Sequence, residues 1–288
     1  MFGISAALTT PYTNDGHVDA DRLNTHIKQV LTEGCTSVTL FGTTGEGASV
    51  PCDARLKMLG AAIAAGIKPE QLVLCLHGAA AGEVIDQVKA ALEMGTQRFL
   101  LPPPCYFNQP SDQGLFEWFA TVLSAFSGTA AQFILYHIPQ VIGVGLSVEL
   151  ISRLKEAYPD QVLGVKDSSG SFENSKQLLQ LPGLEILVGD ERQLAACARI
   201  GAAGAISGIA NVFAGRLARV LQTGVDDTQI NTLVDTVLTF PVTPAVKSLV
   251  AHRYNDGEWC QTGAPLEATP DTGYTTLAAA YDAACISE

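Results

Sequence analysis

Val162-Leu163-Gly164-Val165-Lys166-Asp167-Ser168-Ser169-Gly170 is the stretch on which the reading of the fold turns. Four successive small or apolar residues lead into a lysine, and a Ser-Ser-Gly turn follows. A run without polar alternation suits a strand covered on both faces, as in a parallel sheet flanked by helices. Seven further runs of this type recur along the 288 residues, at 4–8, 37–41, 72–76, 98–101, 133–138, 185–188 and 203–207. Segments with helical periodicity separate them. Leu23, Ile27, Val30 and Leu31 share one helix face after Asp19, and Val84, Ile85, Val88 and Leu92 repeat the pattern within 83–93. Eight strands alternating with helices predict an α/β fold, the (β/α)8 TIM barrel. A doubly wound open sheet fits the same alternation and stands as the second reading.

Beyond the eighth run the chain continues with helical segments at 211–222, 227–239, 244–254 and 275–286. The first closes the barrel and the others form a C-terminal helical extension. The expected division is residues 1–222 for the barrel and 223–288 for a helical region packed on it. No linker, charge run or low-complexity tract interrupts the chain. Pro102-Pro103-Pro104 follows a strand and reads as a loop.

Composition narrows the function classes. The net charge is −12, which opposes nucleic-acid binding, since that needs a basic footprint. No apolar stretch reaches the roughly 18 residues of a transmembrane helix without interruption, and Met-Phe-Gly-Ile-Ser at the N-terminus lacks a signal-peptide pattern. The seven cysteines are odd in number and none has CxxC spacing, which predicts reduced thiols and a cytoplasmic protein. Cys105, in the proline-rich loop, is the candidate for a reactive thiol, but no His-rich motif accompanies it.

An amine taken into a packed interior is disfavoured in its charged form, and a neutral amine attacks carbonyl carbon. Lys166 therefore points to Schiff-base chemistry on a keto acid. The bland alternative is a strand-end lysine that reaches solvent or pairs with Asp167. Barrel enzymes place their chemistry at the C-terminal ends of the strands. Those ends carry Thr9-Thr10-Pro11, Gly42-Thr43-Thr44-Gly45-Glu46-Gly47, His77-Gly78, Tyr136-His137-Ile138-Pro139, Lys166-Asp167, Gly189-Asp190 and Ser207-Gly208. The glycine-rich turn offers backbone N–H groups to an anion, best a carboxylate, because it lacks the lysine of a P-loop. Its plainer reading is a turn with a threonine helix cap. Tyr136 closes the strand beside Lys166 and could carry a proton if Thr43 orients it; otherwise it is a core tyrosine bonded to a carbonyl. None of the five histidines forms an HxH or HxxxH pair, so metal ligands are not expected. His26 reads as a helix-surface residue, and His77 and His137 as pocket lining.

Together, Gly42-Thr43-Thr44-Gly45-Glu46, Tyr136-His137-Ile138-Pro139, Gly164-Val165-Lys166-Asp167-Ser168-Ser169-Gly170 and Gly189-Asp190 resemble the motifs of the dihydrodipicolinate synthase / N-acetylneuraminate lyase family, in order and spacing, over about residues 3–215. The resemblance implies a TIM barrel with a C-terminal helical region, usually a homotetramer. It also implies a metal-independent class I aldolase or related lyase, acting through a Schiff base on pyruvate or a 2-keto acid. It makes Lys166 the Schiff-base lysine, with no other cofactor, and Tyr136 the proton-relay tyrosine. Thr43 and Thr44 would hold the keto-acid carboxylate, with Thr43 also in the relay. Gly189 and Ile206 would line the pocket through their backbones. Tyr106 resembles the aromatic that a neighbouring subunit lends to the relay.

One departure bears on the second substrate. Synthases of the lysine precursor in this family usually carry an arginine two residues after the Tyr-x-x-Pro proline, where it binds the carboxylate of aspartate semialdehyde. Val141 stands there, and Arg153, in a helix, is the next arginine along the chain. A lost charge-assisted contact costs about 1.5–3 kcal/mol. Cys52 and Arg55 stand where lysine-inhibited members often carry histidines. The expected partners are thus a small keto acid and an aldehyde. The favoured activity is a 2-keto-3-deoxy sugar-acid aldolase or dehydratase. Dihydrodipicolinate synthase, condensing pyruvate with aspartate semialdehyde, is the alternative. A non-catalytic keto-acid-binding regulator on the same scaffold is the reading from another class.

Overall fold

A computed structural model of the chain describes residues 2–107 and 109–286. Eight strands follow in order: β1 (Gly3–Ala7), β2 (Ser37–Leu40), β3 (Leu72–Cys75), β4 (Arg98–Leu101), β5 (Gln132–His137), β6 (Val162–Asp167), β7 (Glu185–Val188) and β8 (Gly204–Ser207). All pair in parallel and close into a barrel in sequence order. Gly3 lies opposite Gly204 and Ala6 opposite Ser207, so β1 seals against β8 and the open-sheet reading falls. Each strand lies within one residue of its expected run.

Between and after the strands come helices α1 (Ala20–Thr32), α2 (Cys52–Ala64), α3 (Ala81–Glu93), α4 (Asp112–Ser124), α5 (Pro139–Ile142), α6 (Val148–Ala157), α7 (Phe172–Leu178), α8 (Leu194–Arg199) and α9 (Ala210–Thr223). Side-chain caps start several of them: Asp19 for α1, Ser111 for α4, Ser147 for α6 and Ser171 for α7. The strands lie between two apolar layers, which explains their unbroken hydrophobic runs. Val73, Cys75, Leu100, Ile134, Tyr136, Leu187 and Ile206 fill the barrel interior. The neighbours of these residues in the strands, among them Leu74, Phe99, Leu135 and Ile186, pack outward against the helices. Each fully buried leucine, isoleucine or valine contributes about 1.5–3 kcal/mol.

The chain leaves α9 through Gly224 and continues as α10 (Thr228–Val237), α11 (Val242–Tyr254) and α12 (Asp271–Cys285). Asp227 caps α10 and holds the Arg216 guanidinium of α9 at 2.6 and 2.8 Å. His26 departs from its expected place on the surface. It is buried, with one ring nitrogen 2.8 Å from the Tyr254 hydroxyl and the other 2.9 Å from Asn211 Oδ1. The α1 face that carries it is covered by α9 and α11, which no local pattern in α1 announces. Burial pushes its pKa down to about 4. Among the described residues no helix is long and apolar enough to cross a membrane.

Candidate active site

Lys166 and Tyr136 are register partners on β6 and β5. The pairing depends on an irregularity lower in the ladder: Phe133 faces Val162, but Ile134 faces Gly164, so Leu163 is passed over. Both side chains then enter the barrel interior. Lys166 is 5% exposed and Tyr136 2%. Lys166 Nζ donates to the Tyr136 hydroxyl at 3.1 Å and lies 4.3 Å from the ring centroid. The same hydroxyl is 3.3 Å from Thr43 Oγ1. An amine and two hydroxyls thus form one chain, and the tyrosine does not end on a carbonyl.

Asp167 takes no part, because successive strand residues point to opposite faces. Its carboxylate accepts from Ser175 Oγ at 2.7 Å, Asn174 Nδ2 at 2.9 Å and the Ser169 N–H at 3.0 Å. The pairing with Lys166 that the sequence allowed is therefore absent.

Thr43 and Thr44 sit in a turn held in strained backbone. Phe41 before it and Glu46 near its end have φ of 58° and 54°. A Cβ at Gly47 would fall 1.8 Å from the Phe41 oxygen, so only glycine lets the turn close. The Glu46 N–H donates to the Thr43 carbonyl at 3.1 Å, and the Gly47 N–H to that of Gly42 at 3.2 Å. No carbonyl or side chain among the described residues accepts from the N–H of Thr43 or Thr44. The short helical turn that follows, Gly47–Ser49, has Glu46 at its N-cap and no side-chain cap, so neither threonine caps it.

Lys166 opens on a cavity of about 320 Å³ that Thr43, Thr44, Tyr136, Val141, Gly189 and Ile206 also line. Gly189 is needed there, since a Cβ would meet Ser168 Oγ at 2.0 Å. A larger cavity of about 610 Å³ lies across Tyr136 and shares Thr43, Tyr136 and Val141, but not Lys166. His77 lines it, donating from Nε2 to the Phe41 carbonyl at 2.6 Å, and burial pushes its pKa down to about 4. His137 lines neither cavity. Its Nδ1 accepts from the Leu146 N–H at 2.9 Å, and burial lowers its pKa. Tyr106 also stands apart: it is 91% exposed, with φ 85°, and packs edge-on against Phe107. Among the described residues no group of three or more His, Cys, Asp or Glu side chains is placed to hold a metal ion.

Two charged residues of the Lys166 cavity were not singled out by the sequence. Glu191 is buried beside it, accepting from Ser207 Oγ at 2.5 Å and the Ile209 N–H at 3.1 Å, and burial raises its pKa. Arg192 lines the cavity as well, although Arg153 is the next arginine along the chain after Val141. It is already engaged: Asp190 holds Nη2 at 2.7 Å and Asp235 holds Nη1 at 2.8 Å. The position of both directly after Gly189-Asp190 was the available signal.

A family model described as the dihydrodipicolinate synthetase family matches residues 1–248. The chain belongs to this family. It is 36% identical to an uncharacterized DapA-like lyase of Chloroflexus aurantiacus, over 76% of this chain and 73% of that one. A 4-hydroxy-tetrahydrodipicolinate synthase of Methanothrix thermoacetophila is 28% identical over 73% of this chain and 70% of its own. The crystal structure of a dihydrodipicolinate synthase from Agrobacterium tumefaciens superposes with a TM-score of 0.95 at 46% identity, covering 98% of this chain and 99% of that one. As a member of the dihydrodipicolinate synthetase family the chain is an enzyme, a metal-independent class I lyase on a TIM barrel.

Proposed function

We propose that the chain acts on pyruvate or a pyruvate-yielding 2-keto acid through an imine on Lys166. The observation that carries this is the unbroken path Lys166 Nζ–Tyr136 hydroxyl–Thr43 Oγ1 inside the barrel. In its amine form Lys166 adds to the keto carbon, and the carbinolamine loses water to give an iminium ion. Tyr136, with Thr43, supplies the proton that leaves with that water. The Thr43 and Thr44 N–H groups hold the keto-acid carboxylate, with Gly189 and Ile206 forming the opposite wall. When the bond between the third and fourth carbons breaks, its electron pair moves into the iminium and leaves an enamine, while the fourth carbon departs as an aldehyde. Tyr136 accepts the proton released from the substrate hydroxyl. Protonation of the enamine and hydrolysis free pyruvate and Lys166.

The favoured substrate is a 2-keto-3-deoxy sugar acid, cleaved or dehydrated. Val141 offers no charge to a second carboxylate, and Arg192 already holds two. Gln140, Ser168 and Glu191 around the same cavity suit hydroxyl groups. Dihydrodipicolinate synthesis is the second reading, favoured by the 46% identity to the Agrobacterium structure. Turnover assays with keto-deoxy sugar acids and with pyruvate plus aspartate semialdehyde separate them. Cleavage or dehydration of the former is expected; efficient consumption of the semialdehyde would reverse the preference. The enzyme needs no cofactor beyond Lys166 and works in a reducing, cytoplasmic setting. It assembles as a homotetramer in which Tyr106, exposed in the single chain, reaches a neighbour's site. Light scattering that returns a monomer at assay concentration would rule that assembly out.

A further inference from the structure

The turn that carries Thr43 and Thr44 is fastened from outside the barrel. Thr243, on α11, donates from Oγ1 to the Thr43 carbonyl at 3.1 Å. One helical turn later Lys247 donates to Glu46 Oε1 at 2.5 Å and to the Thr10 carbonyl at 2.8 Å. Residues four apart share a helix face, so one face of α11 reaches both ends of the turn. Glu46 Oε2 accepts the Gly263 N–H at 2.6 Å, and Thr10 Oγ1 donates to the Gly45 carbonyl at 2.6 Å. Lys247 is fully buried and lines neither cavity, while Thr243 and Glu46 line the larger cavity but not the Lys166 cavity.

Two physical facts give these bonds a consequence for binding. A peptide unit is planar, so the Thr43 carbonyl and the Thr44 N–H lie in one plane and point in opposite directions. Fixing the oxygen aims the N–H. The turn is also strained, with Phe41 and Glu46 in left-handed backbone, and such residues persist only when their surroundings hold them. Glu46 is held through both carboxylate oxygens.

We propose that Thr243, Lys247 and Glu46 are positioning residues, through which α11 aims the Thr43–Thr44 amides at the carboxylate of the keto acid. This gives the region 223–288 a share in substrate binding. The inference rests on the reading of Lys166 as nucleophile and of the two threonines as carboxylate donors.

Pyruvate is the probe, and two readouts separate binding from proton transfer. Borohydride trapping across a pyruvate titration gives half-saturation; exchange of the pyruvate methyl protons with deuterated water gives turnover at saturation. Thr243→Val should raise half-saturation about three- to tenfold, the worth of one neutral hydrogen bond. Saturated exchange should stay within about twofold of wild type, and Thr243→Ser should restore binding. Lys247→Met leaves a buried carboxylate unpaired and endangers folding. The double variant Lys247→Met with Glu46→Gln avoids this and should shift half-saturation in the same direction. Half-saturation unchanged in both Thr243→Val and the double variant overturns this inference alone, provided the wild type traps pyruvate on Lys166. So does a loss seen only in unfolding midpoint or in saturated exchange. A wild type that traps nothing on Lys166 overturns the functional reading and this inference with it.

Discussion

Two lysines are buried at the same end of the barrel in opposite surroundings. Lys247, at the junction of α11 with the turn after β2, meets the carboxylate of Glu46 at 2.5 Å and lies 4.5 Å from the Tyr12 ring centroid. Burial lowers its pKa, and Glu46 opposes that shift. Lys166, in the barrel interior, makes no ion pair among the described residues and bonds only the hydroxyl of Tyr136. Lys247, held by a carboxylate, ties α11 to the turn after β2. Lys166 faces the cavity without such a carboxylate, as its proposed role as nucleophile requires. Burial alone does not set the two apart; the partner does.

Exchanging the lysines one at a time is the strongest way to break this contrast. Lys166→Ala should abolish turnover, a loss on the order of 10⁴-fold or more, with little effect on the urea midpoint. Lys247→Met should act mainly on stability, costing about 3–5 kcal/mol through the stranded Glu46, while the imine still forms at saturating pyruvate. Unfolding curves beside single-turnover assays check both. Tyr136→Phe removes the hydroxyl between Lys166 and Thr43. It should lower turnover by about 10²–10⁴-fold while slow imine formation survives. A variant with wild-type turnover would exclude Tyr136 from proton transfer.

The barrel was legible because its strands carry their signal in consecutive residues. Runs such as 162–166 are apolar on both faces, and the turns between them are marked by Gly, Pro and Ser. The meeting of Lys166, Tyr136, Thr43 and Thr44 at one cavity was legible because the barrel puts every strand end in one place. What escaped depends on contacts between distant segments. His26 looks like a polar residue on an amphipathic helix until α9 and α11 cover it. Lys247 stands in Pro244-Ala245-Val246-Lys247-Ser248-Leu249-Val250, where a lone charge in an apolar helix was a usable sign. Its partner, 201 positions away, was not. Arg192 could be counted, but not its capture by Asp235.

Acid should load the junction region. The folded pKa of His26, about 4, lies below the ordinary 6.5. Between those values the unfolded chain binds a proton that the folded chain refuses, so stability falls as pH drops. The share of His26 is about 3 kcal/mol, present above pH 6.5 and gone near pH 4. Calorimetry across this window should show a shallower decline for His26→Gln than for wild type; parallel declines would contradict the assignment. The smallest effect concerns the open side of the Lys166 cavity. Val141→Arg should improve half-saturation for aspartate semialdehyde by about three- to tenfold, discounted for an exposed position. No change would show that residue 141 does not face the second substrate.

The most direct test of the contrast between the two lysines is reduction with borohydride in the presence of pyruvate, followed by peptide mass spectrometry. The adduct is expected on Lys166, with Lys247 unmodified. An adduct on Lys247, or full activity with Lys166 unmodified, would contradict the account.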